Sequence, residues 1–367
     1  MNSSLRIGSI MGIPIRLHWT LLVIVLYVAW AFASFSQPIF GRTYGFGNLE
    51  PAALRWGYSL VFSVLLFVCV ALHELGHSYI AMKNGVSIRS ITLYFFGGVA
   101  SMESIPRDPG LELKMAFAGP GVSGAVGMAC VLLARPATLL GEPLSTLLWT
   151  LGVLNLILMA FNLLPAFPMD GGRLLRAWFA TRMPYIAATR SAASVGRMFA
   201  MLMLLLGLFT FNFLLLFVAF FVYVGASEEE RATEINISLE GIRVRDIMSS
   251  GVRTITSKTT LRELTQLMFQ EKHRGYPVVD GGALVGIVTI TDLQKVPDSE
   301  RDTTTAGEVM ARELYVIAPD EEASTAMRIM NEKGIRRLPV MDGGRLVGIV
   351  SREDLVRAIE IWSGRGL

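Results

Sequence analysis

One apolar run, residues 61–80, constrains the fold of this chain more than any other feature. It is as long as a helix that crosses the hydrocarbon core of a membrane, yet it carries His73, Glu74 and His77. On a helix the two histidines lie four residues apart on one face, where neutral imidazoles can share a metal ion. Ionisable groups inside a membrane are costly unless they pair, line a cavity or bind a metal. We therefore interpret this cluster as a functional site and not as a chance pattern.

Composition divides the chain into two parts. Of its 367 residues, 52% are hydrophobic and only 17% are charged, whereas soluble proteins carry about a quarter charged residues. The long apolar runs lie in residues 1–225, and the rest of the chain has an ordinary charged composition. We predict a membrane domain at 1–225 and a polar linker at 226–243, followed by a soluble region. The formal charge of +3 argues against a nucleic-acid partner.

Six membrane spans are predicted within the first part. They cover residues 19–35, 57–80, 113–133, 144–164, 187–208 and 211–224. Because 198–224 is continuously apolar, one long helix there, and hence five spans, is the alternative. Strand-forming residues at 91–96 are followed by two glycines, so a short re-entrant or interfacial β segment is predicted. The predicted fold class is a membrane all-α core with this β segment, joined to a soluble α/β region.

Lysine and arginine residues indicate the orientation. With six spans they fall mainly on one side, and only Arg42, Arg55 and Arg135 fall on the other. The positive-inside rule then places both termini of a multi-pass cell-membrane protein in the cytoplasm. The same topology brings the ends of the second and fourth spans to one side, so His77 and Asp170 are expected at similar depth.

A catalytic zinc has three protein ligands and one open position. His73 and His77 would supply two of them. The candidates for the third are His18, His273, Glu103, Asp108, Glu112 and Asp170. Asp170 directly follows the fourth span, and the two glycines after it permit close backbone approach. We predict Asp170 as the third ligand; the alternative is that it caps a helix beginning at Gly171.

A repeat with an offset of 62 residues fills the C-terminal part of the chain. Arg-x-x-Pro-Val-x-Asp-Gly-Gly begins at Arg274 and again at Arg336, and Gly-Ile-Val recurs at 286 and 348. Each copy has the pattern of a helix, a strand, an Asp-Gly-Gly hairpin turn, a second strand and a further helix. Two α/β modules are therefore predicted, at 244–300 and 306–362.

Two motifs of the first part resemble those of the site-2 protease family of intramembrane zinc metalloproteases. They are His-Glu-Leu-Gly-His at 73–77 and Asn-Leu-Leu-Pro-Ala-Phe-Pro-Met-Asp-Gly-Gly at 162–172. The resemblance covers most of residues 10–225, and it implies cleavage of membrane-embedded substrates with one Zn²⁺. It also implies residue roles: His73, His77 and Asp170 as zinc ligands, Glu74 as catalytic base, and Asn162 near the substrate.

The 62-residue repeat is similar to tandem cystathionine-β-synthase-type (CBS) domains, which pair and commonly bind adenine nucleotides. That similarity implies ATP, ADP or AMP as ligand and a homodimer formed through the pair. It assigns phosphate contacts to the hydroxyls of Thr289 and Ser351 and ribose contacts to Asp292 and Asp354. The alternative is a packing or dimerisation module without a ligand, because a hydroxyl followed by an aspartate also caps a helix.

The predicted function is an intramembrane zinc endopeptidase with a cytoplasmic, nucleotide-binding CBS pair. A CBS-regulated transporter or channel with a His/Asp ion site is the main alternative, and a non-catalytic metal-dependent scaffold is another. A carboxylate between two histidines suits a general base better than it suits a permeating ion, which favours the protease. A substrate helix must unwind before cleavage, and the strand segment 91–96 is predicted to receive it by edge addition.

Overall fold

A computed structural model describes residues 4–95, 97–102 and 107–362 of the chain. The chain forms two compact units, Met1–Arg231 and Ala232–Leu367. Their boundary lies inside a helix that ends at Ser238. Most of the stretch predicted as a linker, 226–243, is therefore helical.

Helices dominate the first unit. They are α1 (Thr20–Ser34), α2 (Ala52–Lys83), α3 (Pro109–Ala134), α4 (Glu142–Asn162), α5 (Asp170–Ala180), α6 (Tyr185–Phe209) and α7 (Phe213–Ser238). Among the described residues, four of these helices, α2, α3, α4 and α6, are long and apolar enough to cross a membrane. Helix α1 is apolar but has only 15 residues, and α7 becomes acidic at 228–230. The count of six spans therefore stays a prediction.

The long apolar stretch 198–224 contains a helix break. Helix α6 ends at Phe209 and α7 begins at Phe213. The side chain of Asn212 stabilises the new start, because its Oδ1 atom accepts the backbone N–H of Leu215 at 3.1 Å. The alternative of one helix across 198–224 is therefore wrong.

A four-stranded sheet packs beside α2. Its strands are β1 (Ser4–Ile10), β2 (Ile13–His18), β5 (Ile88–Tyr94) and β6 (Gly97–Met102), in the order β1-β2-β5-β6, and a separate hairpin joins β3 (Ser36–Ile39) to β4 (Arg42–Gly45). Buried Ile15 and Leu93 of the sheet share an apolar core with Leu75 of α2. The sheet is thereby anchored to the helix that carries the histidine motif.

The position of β5 corrects one prediction. This strand pairs with β2 in parallel and with β6 in antiparallel orientation, so both of its hydrogen-bonding edges are occupied. Edge addition at 91–96 is therefore wrong for residues 91–94, and Phe96 lies outside the described residues. In the described part of the chain the sheet edge on this side is β6.

The second unit contains the two repeats. Its helices are α8 (Val244–Ile247), α9 (Leu261–Glu271), α10 (Ile290–Gln294), α11 (Ala306–Val309), α12 (Ala323–Lys333) and α13 (Arg352–Trp362), and its strands are β7 (Ser249–Ser250), β8 (Gly275–Asp280), β9 (Ala283–Thr289), β10 (Arg337–Asp342) and β11 (Arg345–Ser351). As predicted, an Asp-Gly-Gly turn closes each hairpin, with both glycines at positive φ in β8–β9 and in β10–β11.

The two repeats complete each other's cores. The core around Leu338 and Val350 of the second repeat includes Val244, from the start of the first. The core around Val278 and Val288 of the first repeat includes Met310, from the start of the second. Neither repeat, taken as a continuous sequence segment, contains its whole core.

Candidate metal centre

Three buried side chains meet where α2 faces the start of α5. The Nε2 atoms of His73 and His77 are 3.1 Å apart, and Oδ2 of Asp170 lies 3.2 Å from the first and 3.1 Å from the second. The relative exposures of these residues are 5%, 6% and 8%. Among the described residues, the histidine, cysteine and acidic side chains that lie close enough together to hold a metal ion are these three.

The outer nitrogens of both imidazoles have partners of their own. His77 Nδ1 lies 2.6 Å from the carbonyl oxygen of Met115, to which it can only donate. His73 Nδ1 lies 2.9 Å from the hydroxyl oxygen of Ser123. Proton donation from Nδ1 leaves each Nε2 lone pair free for a metal, the arrangement found around histidine ligands generally.

The spacing of the three inner atoms fits zinc. A tetrahedral zinc with bonds of about 2.0–2.1 Å separates its ligand atoms by about 3.3 Å, close to the separations of 3.1–3.2 Å found here. Two imidazole nitrogens and a carboxylate oxygen are also a ligand set that zinc accepts, with a fourth position left for water. The donor set therefore suits a catalytic zinc site.

Helix α3 makes room for this centre with a glycine. A methyl group on Gly119 would overlap Nε2 of His77 and lie 2.7 Å from Nε2 of His73. Close approach of the two helices needs a second glycine, because a methyl on Gly76 would come within 2.9 Å of the carbonyl oxygen of Ala118. Gly119 is not among the residues predicted for the site, because the effect of its missing side chain appears only when α2 and α3 pack together.

Asp170 is the first residue of α5, and the N-cap is Met169. The cap alternative for Asp170 is therefore not what the structure shows. The chain folds back tightly here: a methyl on Gly171 would lie 2.5 Å from the carbonyl oxygen of Leu163, and one on Gly172 would lie 2.6 Å from the amide of Phe167. The two glycines thus allow the loop before α5 to present Asp170 to α2.

The other candidates for the third ligand have different partners. His18 contacts Thr20, Asp108 caps α3 at Gly110, Glu112 binds Arg176, and His273 lies beside Tyr276 in the second unit. Glu103 lies outside the described residues. None of the described alternatives joins the cluster of two histidines and Asp170.

Glu74 lies next to the histidines and against strand β6. Its side chain is partly exposed, and a methyl on Gly98 of β6 would overlap its Cγ atom and come within 3.1 Å of its carboxyl carbon. The carboxylate is therefore held between the histidine helix and the edge strand. The Glu74 carboxylate therefore lies at the edge of the sheet as well as beside the histidines.

Asn162 is the last residue of α4. Its Nδ2 group donates a hydrogen bond to the carbonyl of Leu158 in its own helix, at 3.0 Å. It is the eighth residue before Asp170, across the tight loop that leads into α5. Its suggested contact with a substrate stays a prediction.

A cavity of about 500 Å³ lies between the two repeats of the second unit. Thr289 and Asp292 line it from the first repeat, and Arg336, Arg337 and Glu353 line it from the second. The Thr289 hydroxyl donates to Asp292 at 2.7 Å, and the backbone N–H of Thr289 donates to the same carboxylate at 3.1 Å, which makes this pair a capping box. The capping alternative and a place in the cavity thus coexist at these two residues.

The equivalent pair in the second repeat, Ser351 and Asp354, forms a helix cap but, among the residues that the structure describes, does not line the cavity. The Ser351 hydroxyl donates to Asp354 at 2.6 Å, but neither residue is among those lining the cavity in the described part of the chain. Of these two equivalent motifs, the one in the first repeat lines the cavity and the one in the second does not, within the described residues.

Charged side chains of both signs line this cavity. Burial lowers the pKa of Arg337, the carboxylate of Glu353 opposes that shift, and the nearby guanidinium groups of Arg274 and Arg336 add to it. Burial raises the pKa of Asp292, but hydrogen bonds from Thr289 and Lys295 more than reverse this and leave it below its usual value. The lining thus contains three guanidinium groups, of Arg274, Arg336 and Arg337, and three carboxyl groups, of Asp292, Glu313 and Glu353.

Known proteins resemble the chain along nearly its whole length. Residues 61–142 and 122–206 match peptidase family M50, and residues 244–298 and 306–361 match the CBS domain. The zinc metalloprotease MJ0392 of Methanocaldococcus jannaschii is 38% identical over 98% of this chain and 97% of its own length. Rip3 of Mycobacterium tuberculosis, also named as a zinc metalloprotease, is 31% identical over 99% of this chain and 94% of its own.

A solved structure, the site-2 protease from Methanocaldococcus jannaschii, is 40% identical and covers 62% of this chain and 95% of its own, with a TM-score of 0.43. On its family matches and its 38% identity to the MJ0392 protease, the chain belongs to the site-2 protease family of zinc metalloproteases and carries a tandem pair of CBS domains. This membership favours a membrane-embedded metalloprotease over a transporter or channel.

Proposed function

We propose that this protein is an intramembrane zinc endopeptidase that cleaves transmembrane segments of membrane-protein substrates, as in regulated intramembrane proteolysis. In this proposal it is a multi-pass protein with both termini in the cytoplasm. The observation that carries the proposal is the buried cluster of His73, His77 and Asp170, with Glu74 beside it at a sheet edge. A base next to a metal-binding cluster is the arrangement that zinc-dependent peptide hydrolysis uses.

Each residue of the site has a separate proposed role. His73, His77 and Asp170 would hold one zinc ion, which when bound supplies a Lewis acid and lowers the pKa of a water molecule. Glu74 accepts the proton of the attacking water at its carboxylate and then passes it to the leaving amine. Met115 and Ser123 fix the orientation of the imidazoles through their Nδ1 atoms.

Strand β6 is the proposed docking edge for the substrate. A transmembrane helix hides its carbonyl groups in its own hydrogen bonds, so the scissile segment must first become extended. An extended segment can pair with β6, which lies at the sheet edge and contacts Glu74 at Gly98. The resemblance to the family supports a position of Asn162 near the same segment.

Zinc content and cleavage, measured on one preparation, test the proposal. The full chain is purified in detergent, its zinc is quantified, and cleavage of a transmembrane reporter is followed for wild type, Glu74→Gln and Glu142→Gln. Glu142 is an exposed glutamate at the start of α4 and serves as the matched control. We expect Glu74→Gln to retain zinc and lose cleavage, while Glu142→Gln keeps both.

Other outcomes distinguish the alternatives. Full cleavage activity of Glu74→Gln would show that Glu74 is not the catalytic base. A wild-type protein that holds zinc but cleaves no membrane-embedded reporter would support a metal-dependent scaffold.

We further propose that the CBS pair binds an adenine nucleotide in the cavity between the repeats and thereby modulates the protease. The guanidinium groups of Arg274, Arg336 and Arg337 suit phosphates, and ionised Asp292 can accept hydrogen bonds from ribose hydroxyls. The similarity to CBS domains also makes the pair the proposed contact of a homodimer, which sedimentation of the full chain in detergent tests.

Titration calorimetry of the full chain with ATP, ADP and AMP tests nucleotide binding. Arg336→Ala removes a guanidinium from the cavity, whereas Arg328→Ala removes one from α12 that pairs with Glu332. We expect the first variant to weaken nucleotide binding by at least about tenfold and the second to leave it unchanged. Absence of binding to wild type, or equal effects of both variants, would refute this part of the proposal.

A further inference from the structure

The helix that carries Asp170 is fixed by a buried arginine. Arg176 of α5 is only 3% exposed. Its Nε group donates to Glu112 of α3 at 2.7 Å, and its Nη1 group donates to Glu229 of α7 at 2.7 Å. A buried guanidinium that binds two carboxylates in this way has one position, because moving it would leave charges without partners.

The same guanidinium also holds the loop that leads into Asp170. It lies 5.1 Å from the ring centre of Phe167 and 5.1 Å from that of Tyr185. Phe167 is three residues before Asp170 and is itself buried. Arg176 therefore connects α3, α7 and this loop at a single point.

Helix α7 touches the loop directly. A methyl on Gly225 of α7 would lie 2.6 Å from Cδ of Pro168. One helical turn earlier, Val222 packs in the same core as Met169, the residue before Asp170, and Ala226 packs with Phe167. The backbone of α7 is thus in close contact with the residues that set where Asp170 points.

Helix α7 does not end in the first unit. It continues without a break to Ser238, past the boundary at Arg231. Ile235 of this helix and Leu239 just beyond it pack in the core of the second CBS repeat. One helix therefore contributes side chains to the surroundings of Asp170 and to the core of the CBS pair.

We propose that Arg176 is a positioning residue for the metal ligand Asp170, and that α7 sets this position through Glu229 and Gly225. The inference rests on the proposed role of Asp170 as a zinc ligand. A displacement of α7 would shift the loop 163–169 and thereby the Asp170 carboxylate relative to His73 and His77. Zinc affinity is the direct readout of that displacement.

Two glycine substitutions on the α6–α7 pair provide a matched test. Gly225→Ala places a methyl against Pro168, whereas Gly207→Ala places one against Leu216 elsewhere in the contact between α6 and α7. Zinc affinity of the full chain in detergent is measured by competition with a chelator, together with thermal unfolding. We expect Gly225→Ala to weaken zinc binding by at least about tenfold, as for changes behind a metal ligand, and Gly207→Ala to leave it unchanged.

Two adjacent glutamates on α7 provide a second test that keeps the backbone intact. Glu229→Ala removes a partner of Arg176, while Glu230→Ala removes the partner of Arg197 on α6. We expect about tenfold weaker zinc binding for Glu229→Ala only. Glu229→Gln retains an acceptor for Arg176 and is expected to restore most of the affinity, which a purely electrostatic effect on the metal would not allow.

The possible outcomes distinguish the positioning role of Arg176 from the proposed zinc site on which it rests. If wild-type protein binds no zinc, or if His77→Ala binds as much as wild type, the proposed metal site fails and the inference fails with it. If wild type binds zinc through His77 but Gly225→Ala and Glu229→Ala match their controls, only the positioning role is overturned. If Gly225→Ala does not fold, the comparison of Glu229→Ala with Glu230→Ala decides.

Discussion

Gly119 of α3 faces His77 of α2 so closely that a single methyl group on the glycine would overlap the imidazole Nε2 atom. The same methyl would lie 2.6 Å from Cε1 of His77 and 2.7 Å from Nε2 of His73. It would therefore lie directly against the Nε2 atoms of both imidazoles, which are the proposed metal donors. The absence of a side chain at Gly119 is part of the proposed metal site.

Gly119→Ala is accordingly expected to abolish zinc binding. The methyl competes with the metal for the same space, so we expect affinity to fall by more than about 100-fold, beyond the usual effect of residues behind the ligands. Gly121→Ala, two residues later on α3, meets Phe117 only at an ordinary 3.8 Å and is the control. Zinc analysis and thermal unfolding of both variants give the measurement; retention of zinc by folded Gly119→Ala would contradict the prediction.

The sequence predicted the donor residues of this site but not the space around them. A spacing of four residues fixes His73 and His77 on one helical face, and Asp170 follows from its place after an apolar run. Gly119 acts through its missing side chain, and that effect appears only when α2 and α3 are packed together. Its role could therefore not be derived from spacing within a single helix.

Gly98→Ala is expected to impair catalysis while leaving zinc bound. The added methyl overlaps Cγ of Glu74, so the carboxylate must move away from its position beside the histidines, whereas the zinc donors are untouched. We expect the rate of reporter cleavage to fall by about 10² to 10⁴-fold, the usual contribution of a general base.

Gly8→Ala is the control for that substitution. Gly8 lies on β1 of the same sheet, and a methyl there meets nothing within 4 Å. Zinc content and reporter cleavage are measured for both variants. Equal activity of Gly98→Ala and Gly8→Ala would show that Glu74 does not need its position against β6.

Strand formation at 91–94 was predictable from its residues, but its place in the sheet was not. β-branched and aromatic residues indicate a strand, whereas the partners of that strand come from β2, more than 70 residues earlier in the chain, and from β6. Local sequence carries no signal for pairing at that distance. For this reason the sheet edge was assigned to the wrong strand.

Nucleotide binding is expected to change zinc affinity through α7. In wild-type protein, saturating ATP should shift the zinc dissociation constant measured by chelator competition, because α7 contributes to the CBS core and to the surroundings of Asp170. Glu229→Ala should bind ATP with wild-type affinity but show a smaller shift, since its link to Arg176 is lost while the contact of Gly225 with Pro168 remains. A wild-type protein whose zinc affinity is the same with bound ATP and without it would rule out this route.

Substitution of Met310 is expected to disturb the repeat to which it does not belong in sequence. Met310 begins the second repeat but packs in the core of the first, with Val278 and Val288, whereas Met327 packs in the core of the second. Replacing either buried methionine by alanine should cost about 2–5 kcal/mol. Hydrogen exchange of the full chain should then lose protection first in β8 and β9 for Met310→Ala, and first in β10 and β11 for Met327→Ala. If Met310→Ala instead lost protection first in β10 and β11, Met310 would be stabilising the repeat to which it belongs in sequence. That result would contradict the prediction.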